Sequence, residues 1–151
     1  MTLRSKMKML LFLPVLIGCL LATHSVASAP IIPNPMIYLT GTEIFQTNGK
    51  NFIRYKYDVF NKDAYPAAMF APAPDLPPCG MNTKASRTWI DIFDQSGRRL
   101  FGFCAISKPG DLNGLWFSVE EGTVPPSWVY LEMTDRQTNT KYKSNLAETT
   151  N

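Results

Sequence analysis

Few residues in this chain could do chemistry: three cysteines (Cys19, Cys79, Cys104), one histidine (His24) and twelve carboxylates. Cys19 and His24 fall in an amino-terminal stretch that reads as an export signal. The chain downstream of it then has no imidazole. A Ser-His-Asp or Cys-His relay cannot be assembled, and a transition-metal site loses its commonest ligand. Glycoside hydrolysis by two carboxylates survives that exclusion. Asp91 and Asp94, however, point to opposite faces of a strand with a period of two, and Glu120-Glu121 reads as a solvated loop. The oxygens around Asp111 and Asn113, or Asp58 and Asp63, fit turn chemistry rather than a calcium-loop spacing. Phosphate-loop and dinucleotide glycine patterns are absent. The expectation is a non-enzyme with no metal and no cofactor.

Arg4, Lys6 and Lys8 precede an apolar run, Met9 to Ala22, and the small-residue region Thr23-His24-Ser25-Val26-Ala27-Ser28-Ala29. This is the layout of a secretory signal peptide, residues 1–27, cut after Ala27. At about 14 residues the run is short for a membrane span. Leu16-Ile17-Gly18-Cys19 offers a rival, because it resembles a lipobox whose cysteine is lipidated and becomes the first residue. Leu20 and Leu21 prolong the run beyond that cut. Both routes lead out of the cytoplasm, to a secreted or periplasmic protein or to a membrane-anchored lipoprotein, and neither leaves a transmembrane segment in the mature chain.

Losing the signal removes three basic residues and no acidic one, so the formal charge of +3 falls to zero. Composition then implies no nucleic-acid partner. In an oxidising compartment Cys79 and Cys104 form a disulfide. It closes a loop of about 26 residues and constrains the unfolded chain by about 3.5 kcal/mol.

That loop contains two runs rich in aromatic and β-branched residues, Thr88 to Asp94 and Arg99 to Cys104, around the turn Gln95-Ser96-Gly97-Arg98. With Gly97 at positive φ and Asp94 closing on Arg98, outward counting gives one aliphatic face. There Ile92 stands opposite Leu100, Ile90 opposite Gly102 and Thr88 opposite Cys104. The other face sets Trp89 opposite Phe103, Asp91 opposite Phe101 and Phe93 opposite Arg99. Trp89, Phe101 and Phe103 would form a platform for a sugar ring or an apolar peptide, oriented by Asp91 and Arg99, with Trp128 and Tyr130 contributing from another strand. The competing reading makes these rings core.

The elements that must position this hairpin follow in order. Residues 28–35 are an extended leader. Met36 to Gln46 and Asn51 to Phe60 pair around Asn48-Gly49, with Ile44 opposite Ile53 and Glu43 opposite Arg54. Residues 61–86 form a long loop with five prolines after Tyr65. Its apolar residues Tyr65, Met69, Phe70 and Leu76 are expected to lie over Trp89, Phe101 and Phe103, or else to wall a cleft. Strands follow at Gly114 to Val119, Ser127 to Thr134 and Tyr142 to about Leu146, and residues 147–151 read as a fraying tail. Residues 36–146 therefore predict an all-β domain: an antiparallel immunoglobulin-like β-sandwich of about seven strands with one long Pro-rich loop.

The run Pro125-Pro126-Ser127-Trp128-Val129-Tyr130-Leu131-Glu132, followed by Asp135-Arg136 and Tyr142, resembles the paired late strands of bacterial exported domains of the immunoglobulin or fibronectin type III kind. The cysteines depart from the antibody pattern, since they flank one hairpin and have no tryptophan midway between two sheets. The resemblance implies an interaction module without a reaction. The expected function is a non-catalytic, exported module binding a protein partner. The alternatives are a glycan-binding module using the aromatic face, and an envelope lipoprotein held through Cys19.

Overall fold

Alternating apolar and polar residues, dense in β-branched and aromatic side chains, become eight strands in the computed structural model, which describes residues 31–79, 81 and 85–150. The expected signal peptide, with Cys19 and His24, lies outside the described residues. The strands are β1 (Ile37–Thr47), β2 (Lys50–Val59), β3 (Thr88–Asp94), β4 (Arg99–Phe103), β5 (Leu115–Glu120), β6 (Trp128–Asp135), β7 (Thr140–Lys143) and β8 (Ala147–Glu148). They form two antiparallel sheets, β1-β2-β5 and β4-β3-β6-β7, with β8 pairing on β6 beyond β7. The chain is thus an all-β sandwich. Among the described residues the only helices are short 3-10 turns, and none is long and apolar enough to cross a membrane.

The inward faces supply the core. Tyr55, Tyr57, Val59, Leu115 and Phe117 from the first sheet meet Ile90, Ile92, Val129, Leu131 and Met133 from the second. Asn48 and Gly49 both adopt positive φ and close β1 on β2 in a two-residue turn, which sets Ile44 opposite Ile53 and Glu43 opposite Arg54 as expected.

The β3–β4 hairpin opens as expected, with Gly97 at φ 87° and the Asp94 amide bonded to the Arg98 carbonyl at 3.0 Å. Phe93 faces Arg99, but a bulge at Leu100 then shifts the register, so that Ile92 faces Phe101, Asp91 faces Gly102 and Ile90 faces Phe103. The expected aliphatic and aromatic faces are therefore mixed. Strict alternation would have set the Asp91 carboxylate against a phenyl ring and placed Gly102, which fills no space, in the core. The bulge instead leaves bare backbone at Gly102, and the Arg99 guanidinium lies across it to reach Asp91.

The apolar side chains Tyr65, Met69 and Phe70 of the Pro-rich loop enter the core, where they were expected over Trp89, Phe101 and Phe103, while Pro77 reaches the Arg136 guanidinium that covers Trp89. The loop's two 3-10 turns, Lys62–Ala64 and Ala67–Phe70, drive these three residues inward, each at most 4% exposed. The Thr88 hydroxyl donates to the Met69 carbonyl at 2.6 Å, the Arg87 amide to Ala71 at 2.9 Å, and Cys79 joins Cys104 by a disulfide. The tail is not free either. Ala147 pairs with Val129, and Thr149 is buried, donating its hydroxyl to the Pro126 carbonyl at 2.6 Å. At the other end the leader is fastened from Ile32, which packs on the core, and the Asn61 side chain bonds both the Asn34 carbonyl and the Met36 amide.

Two buried carboxylates hold turns in place. Asp94 accepts from the Ser96 hydroxyl and from the Arg98 amide and guanidinium, while Asp135 takes a two-pronged grip from Arg87 at 2.7 and 2.5 Å. These partners pull both carboxyls down to about 2 from 3.8. A folded-state pKa depressed in this way stabilises the fold above the unfolded value and loses that contribution as pH falls toward the folded one. The urea midpoint should therefore hold at neutral pH and drop between about pH 4 and pH 2. Asp135→Asn should cost roughly 2–3 kcal/mol at neutral pH and flatten that acid limb, as read by denaturation at each pH.

Candidate interaction surface

The outward face of the larger sheet carries most of the residues that the sequence marked. Cross-strand pairing aligns Gly102, Asp91, Glu132 and Lys143 in one row, and Arg99, Phe93 and Tyr130 in the next. The Arg99 guanidinium donates to Asp91 at 2.6 Å, and Lys141 donates to Glu132 at 2.8 Å. Tyr130 stacks on Phe93 with centroids 5.3 Å apart, and the Lys143 ammonium sits 3.8 Å from the Tyr130 centroid. Trp89 is covered by the Arg136 guanidinium, 3.9 Å from its ring, which also donates to the carbonyls of Pro77 and Ser86. Trp128, 39% exposed, stands at the end of the sheet, where its backbone bonds the Gln95 side chain and amide.

Phe101 and Phe103 do not share that face. The Leu100 bulge turns them toward β5, where Phe101 lies 4.1 Å and Phe103 6.1 Å from Trp116 between ring centroids. Of the seven residues marked for a ligand, Trp89, Asp91, Arg99, Trp128 and Tyr130 are brought to one face, and two belong to the seam where β4 meets β5. A strip continues from that seam. Arg54 lies 4.4 Å from the rings of both Trp116 and Phe45, and Phe45 stacks on Phe52. The strip thus crosses the β1-β2-β5 sheet, and the Phe101 and Phe103 contacts with Trp116 close the side where β4 meets β5.

The opposite side is closed only in part. β1 is the terminal strand of its sheet, and its first half is capped by a side chain acting as a strand. Asn145 accepts from the Ile37 amide at 2.8 Å and donates to the Ile37 carbonyl at 3.0 Å. It reaches there because β7 and β8 are separated by a break, at which the Ser144 amide and hydroxyl bond β6 at Leu131. A bulge between Leu39 and Gly41 follows. Beyond it the backbone groups of an antiparallel pair alternate inward and outward. Counting from the two-residue turn, Glu43, Phe45 and Thr47 bond to β2, while the amides and carbonyls of Thr42, Ile44 and Gln46 face out. Among the described residues this half of β1 pairs only with β2.

The side chains beside this open edge fit a contact surface. Ile44 is 66% exposed, on the same side as Ile53. On the other side, Glu43 binds Arg54 at 2.6 Å and Lys56 at 2.8 Å, and the Lys56 bond, with Arg54, holds its carboxyl below the usual carboxylate range. Sequence reasoning found β1 but not its open edge. The available signal was the lack of any lysine or proline from Gly41 to Thr47, the residues that commonly guard edges.

No family model, curated protein or solved structure matches the chain.

Asn145→Asp keeps the acceptor for the Ile37 amide and removes the donors to the Ile37 and Leu146 carbonyls. Stability should fall by about 1–2 kcal/mol in urea denaturation. Amide exchange at Ile37 should quicken as that pairing loosens, with β3 unchanged.

Proposed function

We propose that the chain is a non-catalytic, exported immunoglobulin-like module that binds a protein partner by receiving the partner's strand on the open half of β1. The observation that carries this reading is the set of outward backbone groups at Thr42, Ile44 and Gln46 beside the exposed Ile44 side chain. Such an edge offers a ready ladder of main-chain hydrogen bonds, and alternate side-chain contacts give it selectivity. The disulfide supports an oxidising destination, in agreement with the amino-terminal layout. Lipidation at Cys19 would tether the same module to a membrane without changing the edge.

Strand order supports membership in the wider immunoglobulin and fibronectin type III class. In an antibody constant domain the first, second, fifth and fourth strands form one sheet and the third, sixth and seventh the other. Here β4 pairs with β3 instead of β5, and an eighth strand, β8, adds to β6. A protein partner is favoured over a glycan because Arg136 and Lys143 already occupy the faces of Trp89 and Tyr130, where a sugar ring would stack.

In dilute solution the amides of Thr42, Ile44 and Gln46 should exchange at least about tenfold faster than those of Glu43 and Phe45, which β2 protects. Extended peptides selected from a displayed random library should slow the fast three, and Ile44→Lys should abolish that selection without shifting the urea midpoint. Equal, slow exchange at all five amides in the dilute protein would refute the open edge.

A further inference from the structure

The occupant of this edge can be narrowed, on the condition that the open-edge reading holds. We infer that the strand added to β1 is β1 of a second copy of this chain, antiparallel, with a two-fold axis between the two Ile44 residues.

The register follows from which backbone groups face outward without a strand partner among the described residues. Thr42, Ile44 and Gln46 face outward, and Ile44 is the middle one. Only an axis at Ile44 pairs all of them, with Ile44 opposite Ile44 and Thr42 opposite Gln46 on both sides. An axis at Glu43 would set two carboxylates directly opposite each other, which is destabilising. It would also leave Gln46 facing the bulged Thr40. An axis at Phe45 would put Thr42 opposite Asn48, a turn residue at φ 50° that cannot continue a ladder.

Side chains agree with the same register. On one side the two Ile44 side chains meet, each 66% exposed in a single copy, with a Thr42–Gln46 pair at either end, giving an apolar centre and a polar rim. On the other side each Glu43 stands opposite the second copy's Phe45, whose ring carries an Arg54 guanidinium 4.4 Å from its centroid. Acid therefore meets base across the axis. The contact also terminates itself. The other edge of this sheet, β5, lies against β4 through the Trp116–Phe101 rings, and the first half of β1 is held by Asn145. A two-fold pairing then uses up the free edge and gives a closed pair of chains, not a fibre.

A contact of one strand per copy is small, so the pair should be reversible and depend on concentration. Raising the wild-type protein from about 10 µM to about 1 mM should slow exchange at Thr42, Ile44 and Gln46 at least about tenfold, leave Glu43 and Phe45 unchanged, and double the mass seen by sedimentation equilibrium. Ile44→Lys places two ammonium groups at the axis and should stay single at every concentration, whereas Ile44→Val should still pair. Hydrogen-bonded partners lie about 5.5 Å apart between Cα atoms, within disulfide reach. Ile44→Cys should therefore cross-link to itself on oxidation. Gln46→Cys should not, but a mixture of Thr42→Cys and Gln46→Cys should.

A single-copy mass with fast outward amides up to the highest concentration, and no Ile44→Cys cross-link, would overturn self-pairing and leave the edge to a different protein. Slow exchange of those amides even at high dilution would overturn the open edge itself.

Discussion

An amide at the edge of a sheet must find an acceptor, and the way β1 meets that demand divides the strand in two. Over its first half the demand is met inside the molecule. The Asn145 carboxamide has one acceptor and one donor group at the spacing of a neighbouring peptide, so it completes the Ile37 pairing as another strand would. The bulge after Leu39 then reverses which residues face outward, and among the described residues nothing comparable reaches Thr42, Ile44 or Gln46. Water can satisfy these groups in a single copy at little cost. The exposed Ile44 gains only from burial, and a strand that satisfies the backbone groups buries that side chain as well.

The rest of the sandwich is built so that this edge stays distinct. The Pro-rich loop could have been a liability in a small domain, but its buried residues are locked by hydrogen bonds at the start of β3, Thr88 to the Met69 carbonyl and the Arg87 amide to the Ala71 carbonyl, and its end is held by the disulfide to Cys104 just past β4. Arg87 then ties this assembly to Asp135 at the end of β6, and Arg136 binds the Pro77 and Ser86 carbonyls from beside it. Loop, β3 and β6 are thereby joined where five prolines after Tyr65 disfavour α-helix and interior strand. The cations that fasten this region also cover the aromatic face, which is why the larger sheet presents ion pairs and capped rings instead of a bare platform.

Much of this was legible in the sequence, and what was not has identifiable causes. Asn48-Gly49 encodes the first hairpin together with its register, because a two-residue turn with both residues at positive φ permits only one pairing. Asp94 and Gly97 likewise encode the second turn. Counting outward from it fails after one pair, because Leu100 is inserted where local periodicity carries no mark of an extra residue. Gly102 was the available sign, since a glycine inside a strand marks a bulge or a close approach. The loop was misplaced for a different reason. Apolar residues between prolines announce burial but not which surface buries them, and the choice of core over outer face is made by hydrogen bonds from Thr88 and Arg87, distant in sequence. The pairing of Ala147 with Val129 was hidden by the same lack of locality, in a tail whose composition is that of a solvated end.

The two lateral sides of the sandwich show how one sequence can close one edge and leave another open. At β4 and β5 the closure is made by side chains, with Phe101 and Phe103 meeting Trp116 across the join and Arg54 of β2 lying on the Trp116 ring behind it. Rings and a guanidinium seal an edge without a backbone ladder because their area excludes water from both strands. On β1 no aromatic residue stands on the inward side beyond the bulge, where the positions are Thr42, Ile44 and Gln46. An isoleucine between two polar residues is too small to fold over its own edge, yet it is apolar enough to gain from a neighbour. A larger ring at that position would have covered the edge, and a lysine would have repelled a second strand. Isoleucine does neither, so the chemistry of one position leaves the open half of β1 able to accept a strand.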